Sequence, residues 1–181
     1  MKRLSLFVAT VIALAFPVLL SAAEQTNALP NGAKYIGETN LLPYGAEKYI
    51  GEMKDGKPNG LGKAISGAGT EEGEWRNGKL NGQGTQTWGD GTKFAGQFKN
   101  GKENGQGMMT WTNGQKFVGE WLDGSARQGC FTYADGSRYV GQLSGDMTMR
   151  RNGHGKMTYP DGRVEEGLWK DGKFMGASTT P

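Results

Sequence analysis

The sequence predicts an all-β protein built from tandem β-hairpins. Glycine accounts for 32 of the 181 residues without recurring at every third position, which excludes collagen, and an aromatic content of 10% argues against disorder. A glycine that in most cases follows an aromatic residue by two positions recurs at intervals of 22 to 26 residues. Asn-Gly or Asp-Gly dipeptides separate the runs between these glycines, and such dipeptides are strong hairpin signals.

The N-terminal segment has the features of a secretory signal. Lys2 and Arg3 precede an apolar run over residues 4–20, and the small residues of Ser21-Ala22-Ala23 come directly before Glu24. We expect cleavage before Glu24, which makes residues 1–23 a signal peptide and places the mature protein in the periplasm or outside the cell. An uncleaved signal that anchors the chain in a membrane is the alternative.

Charge and composition restrict the available chemistry. Lys2 and Arg3 are the only charged residues of the signal, so the mature chain carries 19 basic and 18 acidic residues, a net charge of +1. This balance gives no general electrostatic reason to bind nucleic acid. With one histidine and one cysteine, the chain can form neither an internal disulfide nor a zinc site of the usual Cys and His sets. Because the glycine-rich segments match neither the phosphate-binding loop nor the dinucleotide-binding fingerprint, we expect no cofactor and no metal.

Six repeat units follow one another over residues 48–176. One Asn-Gly or Asp-Gly turn closes each unit into a hairpin and a second turn joins it to the next, and we interpret both as type I′ turns. Residues 34–38 duplicate residues 48–52 only 14 positions earlier. We therefore interpret residues 24–47 as a leader and a truncated unit that covers the N-terminal edge of the sheet, and residues 177–181 as a tail. The glycines that align units 1 to 6 are Gly51, Gly73, Gly96, Gly119, Gly141 and Gly167.

Alternation along each strand divides the side chains between two faces. In unit 3, Phe94, Gly96 and Phe98 point to one face, while Lys93 and Gln97 point to the other. We call the first the aromatic face and the second, which is mostly hydrophilic, the polar face. The strand glycines are expected to leave recesses in which a ring from the neighbouring unit lies over bare backbone. Each unit would then be stabilised by its neighbours.

This pattern resembles the MORN repeat (membrane occupation and recognition nexus). The shared motif is aromatic-x-Gly-x-aromatic-x-Asn/Asp-Gly-Lys-x-x-Gly-x-Gly-x-x-x-aromatic-x-Asp/Asn-Gly, and residues 93–115 carry its clearest copy. The resemblance implies an elongated, twisted, single-layer antiparallel sheet of successive hairpins. It further implies a scaffold, dimerisation, or lipid- or protein-binding module rather than an enzyme.

Three residues depart from the motif at aromatic positions. Ser66 of unit 1 stands where later units carry a ring, and Glu71 and Glu165 open units 2 and 6 in place of an aromatic residue. Degenerate units are typical of the capping ends of an array. We therefore interpret these residues as features of end units.

The fifth unit contains the only sizeable insertion, three extra residues within segment 144–152. We expect this segment to form a protruding loop, and it combines two adaptable methionines with two arginines, a set that suits contact with a protein or with anionic head groups. A tolerated loop insertion without function is the alternative.

Two groups of residues are candidates for binding a partner. The aromatic face holds too many rings to be fully solvated, so it is either a mainly structural stripe with some exposed rings or a direct ligand surface. We interpret His154 and Cys130, both at variable positions of the polar face, as surface residues. A catalytic or pH-sensing histidine and a cysteine that cross-links two chains are the alternatives. The candidate partner-binding residues are Trp88, Trp111, Trp121, Tyr133, Tyr139, Tyr159, Met147, Met149, Arg150 and Arg151.

The sequence points to an exported, non-enzymatic scaffold or adaptor that binds another protein through the aromatic face and segment 144–152. The second hypothesis is a peripheral module that binds anionic phospholipid, which the near-neutral charge of the mature chain weakens. The third is a glycan or cell-wall binder that stacks sugars on Trp and Tyr, or an enzyme of an unrecognised class. A homodimer is compatible with the sequence.

Overall fold

The computed structural model describes residues 36–37, 48–145 and 148–177. These residues form a 13-stranded antiparallel sheet in which the strands lie side by side in chain order, and they contain no helix. The predicted all-β fold of tandem hairpins is therefore confirmed. The strands are β1 (Ile36–Gly37), β2 (Lys48–Lys54), β3 (Lys57–Ser66), β4 (Gly69–Arg76), β5 (Lys79–Trp88), β6 (Lys93–Lys99), β7 (Lys102–Thr110), β8 (Lys116–Leu122), β9 (Ser125–Thr132), β10 (Arg138–Leu143), β11 (Arg151–Thr158), β12 (Val164–Lys170) and β13 (Lys173–Gly176).

Each repeat unit contributes one hairpin of the sheet, from β2–β3 for unit 1 to β12–β13 for unit 6. Strand β1 pairs with β2, with Ile36 opposite Ile50. The signal-peptide prediction for residues 1–23, most of the predicted leader and truncated unit, and residues 178–181 of the tail lie outside the described residues.

Two kinds of turn alternate along the sheet. Within units 1 to 4 and unit 6, both central residues have positive φ, as at Asn100 (53°) and Gly101 (81°), so the type I′ prediction is confirmed there, whereas the longer loop over residues 144–150 closes unit 5. Between units only the glycine has positive φ, so that prediction is wrong. At the turn after Trp88, the Gly91 amide donates to the Trp88 carbonyl at 2.9 Å, and the Asp90 carboxylate accepts from the Thr92 amide at 2.8 Å. This arrangement is a type I turn followed by a glycine bulge, in which the aspartate serves as a hydrogen-bond acceptor.

The first ring of a unit covers a pair of glycines on the two strands of that same unit. Gly96 is opposite Gly107 in the β6–β7 register, and a Cβ added at Gly107 would overlap the Phe94 ring. The expectation that the ring comes from a neighbouring unit is therefore wrong for unit 3, and Tyr49, Phe117 and Tyr139 repeat the same arrangement. In unit 2, where Glu71 replaces the ring, Phe98 of the next unit approaches Gly84 instead.

Neighbouring units are coupled by rings that meet edge to face. The first ring of one unit packs against the second ring of the next, with centroid distances of 5.5 Å for Tyr49–Trp75, 5.1 Å for Phe94–Trp121 and 5.5 Å for Tyr139–Trp169. Such pairs each contribute about 0.5–1.5 kcal/mol beyond the area they bury. The aromatic face is consequently a continuous core that crosses from unit to unit.

A polar side chain secures the irregular register of the hairpins in units 1, 2, 3 and 5. In unit 3 the register shifts between Gly96 and Phe98, and the Gln97 side-chain oxygen accepts the Gln106 amide at 3.1 Å. Glu52, Glu74 and Gln142 accept the corresponding amides in units 1, 2 and 5. The Glu or Gln after the strand glycine is thus explained by the fold, because it pairs an amide that the bulge removes from the ladder.

Candidate functional site

Four half-buried rings form a row along one side of the aromatic face. Trp88, Trp111, Tyr133 and Tyr159 occupy the same repeat position, at or just after the end of the second strand of units 2 to 5. Successive members are two strands apart, which corresponds to about 10 Å. Buried Phe131 supports two of them, with ring centroids 5.3 Å from Trp111 and 4.5 Å from Tyr133. We call these four rings the ring row.

Two of the candidate residues belong to the buried core. The side chains of Trp121 and Tyr139 are 2% and 0% exposed, so neither offers surface for direct contact with a partner. The Tyr139 hydroxyl donates to the Gln142 carbonyl at 2.9 Å, and burial raises the pKa of Tyr139 to about 12. Their role in the structure is to connect units through ring contacts.

Arg151 lies on the aromatic face rather than on a protruding loop. Its guanidinium carbon is 4.4 Å from the centre of the Trp169 ring, and its Nη2 donates to the Gly172 carbonyl. The charge of Arg151 partly offsets the burial that raises the pKa values of Tyr133 and Tyr139. The C-terminal part of the aromatic face therefore carries a fixed positive charge.

The rest of segment 144–152 combines one packed and one exposed candidate. Met149 is half-buried against the core and has a φ of 48°, whereas Arg150 is exposed. The Ser144 amide donates to the Arg150 carbonyl at 2.8 Å, and the Arg150 amide donates to the Ser144 hydroxyl at 3.2 Å. Met147 lies outside the described residues. Arg150 is thus the described cation of the segment that is open to a partner.

A groove of about 420 Å³ opens on the aromatic face where units 1 and 2 lack rings. Ser66 and Glu71, which the sequence suggested were mere end-unit features, both line it, and Trp88 of the ring row forms part of its wall. The Gly101–Lys102 turn of unit 3 contributes to the lining as well. The signal for the groove was present in the sequence, because two missing rings on consecutive strands leave one shared vacancy.

Glu71, which lines the groove, and nearby Glu103 form a pair of carboxylates on this part of the aromatic face. Burial raises the pKa of Glu71, and the nearby charge of Glu103 raises it further; burial also raises the pKa of Glu103. Within the described ranges, neither carboxylate has an ion-pair partner. The aromatic face is therefore polarised, with unpaired carboxylates in units 2 and 3 and the Arg151 cation in unit 5.

The polar-face candidates have ordinary surroundings. His154 is exposed, and Cys130 is half-buried with its sulfur accepting a 3.3 Å hydrogen bond from Arg138. Among the residues that the structure describes, no group of three His, Cys, Asp or Glu side chains is arranged to hold a metal ion. No helix long and apolar enough to cross a membrane occurs in this part of the chain.

The family model for the MORN repeat matches six segments that together cover more than half of the chain. The matched residues are 49–71, 72–93, 94–116, 117–138, 150–162 and 166–177. The chain belongs to the MORN repeat family. MORN repeats are generally non-enzymatic scaffold modules that bind proteins or membranes. The matched MORN segments omit residues 139–149, which include most of the unit 5 insertion. No curated protein matches the chain significantly.

Proposed function

We propose that this protein is an exported, non-enzymatic scaffold that binds a segment of another protein along its aromatic face. The observation that carries the proposal is the groove of units 1 to 3, which adjoins the ring row at Trp88. Concave sites that combine an aromatic wall with a few polar groups are typical of ligand recognition. Export is inferred from residues 1–23, as argued from the sequence.

The spacing of the ring row favours an extended partner. Neighbouring rings two strands apart are separated by about 10 Å, and a polyproline II helix presents every third residue on one side at about 9.3 Å. Aromatic-lined surfaces bind such segments in several unrelated domains, since the preformed helix loses little entropy on binding. A proline-rich or otherwise extended segment would place one residue against each ring.

The charges of the aromatic face give the bound segment a direction. A basic side chain would relieve the unpaired carboxylates of Glu71 and Glu103, and an acidic one would pair with the charge of Arg151. Anionic phospholipid is the weaker candidate, because Arg151 is engaged with Trp169 and leaves Arg150 as the exposed cation of the described loop.

Site-specific photo-cross-linking in the producing cell tests the proposal. A benzophenone amino acid replaces Trp88 or Trp111 in the ring row, and Met175, an exposed apolar residue of β13, serves as the matched control. We expect one protein to be captured from both ring positions but not from Met175, and Glu71→Gln to reduce its capture. Capture of lipid or glycan alone, or equal capture from Met175, would contradict binding of a protein on this face.

Vesicle co-sedimentation distinguishes lipid binding from the proposed binding of a protein segment. Vesicles of phosphatidylglycerol that bind the chain at low salt and release it at high salt would support a peripheral membrane module instead.

A further inference from the structure

A stripe of apolar side chains crosses the polar face, which the sequence suggested was mostly hydrophilic. Its members are directly paired on five adjacent strands, β6 to β10, so they form one unbroken row. Met108 and Val118 at its centre are 40% and 37% exposed. The apolar stripe consists of Ala95, Met108, Val118, Cys130 and Val140.

An ion pair lies beyond each end of the apolar stripe in the same cross-strand row. Lys63 on β3 pairs with Glu72 on β4 at 3.2 Å, and Lys156 on β11 pairs with Glu166 on β12 at 3.0 Å. Thr85 on β5 separates the first pair from the stripe. The side chains of both pairs are exposed, and in each pair the lysine precedes the glutamate along the chain.

We propose that two copies of this chain pack polar face to polar face, related by a two-fold axis parallel to the strands and located between β7 and β8. The axis reverses the order of the strands in the second copy, so that β7 of one copy faces β8 of the other and β3 faces β12. Met108 then faces Val118 of the second copy, Lys63 faces Glu166 and Glu72 faces Lys156. The apolar stripe is buried, and the ion pairs of the two sheets join into charge-complementary clusters at both ends.

The rows on either side of the stripe fit the same axis. Half-buried Ile65 of β3 faces exposed Val164 of β12 in the second copy, and exposed Leu61 faces exposed Leu168, so the apolar residues at the ends meet each other. The row that contains Ile65 and Val164 also holds three basic residues. Each of them faces a threonine of the second copy: Lys93, Lys116 and Arg138. The other face-to-face arrangement, which does not reverse the row, would oppose Lys63 with Lys63 and Glu72 with Glu72.

The size of the surface is sufficient for a stable dimer. Ten strands spaced about 4.8 Å apart and three rows of side chains about 7 Å apart cover about 900 Å² in each copy. Specific interfaces bury about 800 Å² per partner. In this register Cys130 faces Ala95 of the second copy, and the two Cys130 residues are offset along the row by about 14 Å, too far for a disulfide. The dimer is therefore insensitive to reducing agents, unlike one linked through Cys130.

Exchange of the charges at one end tests both the dimer and its register. Lys63→Glu combined with Glu72→Lys keeps the ion pair within the sheet and the net charge, but it opposes like charges across the interface. Adding Lys156→Glu and Glu166→Lys restores opposite charges at every contact. By sedimentation equilibrium of the exported chain in reducing buffer, we expect the wild type at twice the mass of its monomer. The double variant should dissociate at least about tenfold more readily, and the fourfold variant should recover.

Two methionines provide a matched pair for the apolar contact. Met108→Glu places a charge in the centre of the stripe and should abolish the dimer, whereas Met175→Glu alters a methionine that is 59% exposed on β13 and should have no effect. Circular dichroism confirms that each variant is folded. A monomeric wild type at about 100 µM, a double variant that dimerises as tightly as the wild type, or a fourfold variant that does not recover would overturn the proposal.

Discussion

The contact between a strand glycine and the ring above it gives the sharpest test of how the repeat folds. Gly107 lies beneath the Phe94 ring, which is fully buried and 5.1 Å from the centroids of both Phe98 and Trp121. A methyl group at residue 107 would occupy the space of the ring, and Phe94 cannot move without disturbing two further rings. Gly107→Ala should therefore behave as overpacking and cost about 1–3 kcal/mol of unfolding free energy.

A double-mutant cycle identifies the clash as the cause. Phe94→Ala alone should cost about 3–5 kcal/mol because it empties a buried ring site. In the double variant the new methyl group occupies part of that space, so the variant should be no less stable than Phe94→Ala alone. The costs of the two substitutions are thus expected to be non-additive by about 1–3 kcal/mol.

Two other glycines supply the controls. At Gly96 an added Cβ would lie 2.5 Å from the Gln106 carbonyl oxygen and 2.5 Å from the Gly107 Cα, so Phe94→Ala should not rescue Gly96→Ala. At Gly114 nothing lies within 4 Å, and alanine there bears only the cost of a φ of 85°, about 1 kcal/mol. Urea unfolding followed by circular dichroism measures all six variants, including the double variant of residues 94 and 96. Additive costs for residues 94 and 107, or a Gly107→Ala cost no larger than that of Gly114→Ala, would refute the reasoning.

Four further outcomes are expected. The raised pKa of Glu71 makes the folded protein bind more protons than the unfolded chain, so the free energy of unfolding should fall as pH rises from the usual carboxyl pKa through the raised one. In urea titrations, Glu71→Gln should flatten this pH dependence and raise stability at pH 7. Arg151→Met should cost about 1–2 kcal/mol in the same assay through loss of the Trp169 and Gly172 contacts, whereas the exposed Arg150→Met should cost almost nothing. Deletion of residues 93–115, one period, should leave a shorter array with a β-type circular dichroism spectrum, and a fully unfolded product would indicate long-range dependence between units. The intact mass of exported protein should correspond to a chain that begins at Glu24, and a mass that retains residues 1–23 would favour the membrane anchor.

Sequence reasoning succeeded where one residue has one local task. Period-2 alternation placed Phe94 and Phe117 on the buried face, and the Asn-Gly and Asp-Gly dipeptides located the turns that close units 2, 3, 4 and 6. Sequence reasoning failed to predict the type of turn, because the same dipeptide adopts two conformations. Asn100-Gly101 forms a type I′ turn, whereas Asn113-Gly114 belongs to a type I turn with a glycine bulge. The number of residues between the paired strands, which no dipeptide encodes, decides between the two.

The candidate site was harder to predict because it depends on vacancies and on contacts between distant residues. Because Arg151 belongs to the insertion segment, the sequence suggested an exposed cation. In the structure Arg151 pairs with Leu143, and its side chain lies on the aromatic face against Trp169. Trp121 and Trp88 belong to the same residue class in the sequence, but the strand position of Trp121 buries it between two phenylalanines while Trp88 stays at the edge. Only the register distinguishes such pairs.

Comparison among the units separates what builds the sheet from what is available for recognition. The strand glycines, the first ring, the Glu or Gln that accepts a bulge amide and the turn residues all have structural partners, so their recurrence follows from the fold alone. Ser66 and Glu71 break this pattern by replacing rings and opening a groove, and Glu71 and Glu103 are carboxylates without ion-pair partners among the described residues. Buried or half-buried polar groups without partners lower stability. Restoring the pattern with Ser66→Trp and Glu71→Phe should therefore close the groove and stabilise the array. If cross-linking from position 88 is lost in that variant, binding depends on the residues that depart from the repeat motif rather than on the repeat itself.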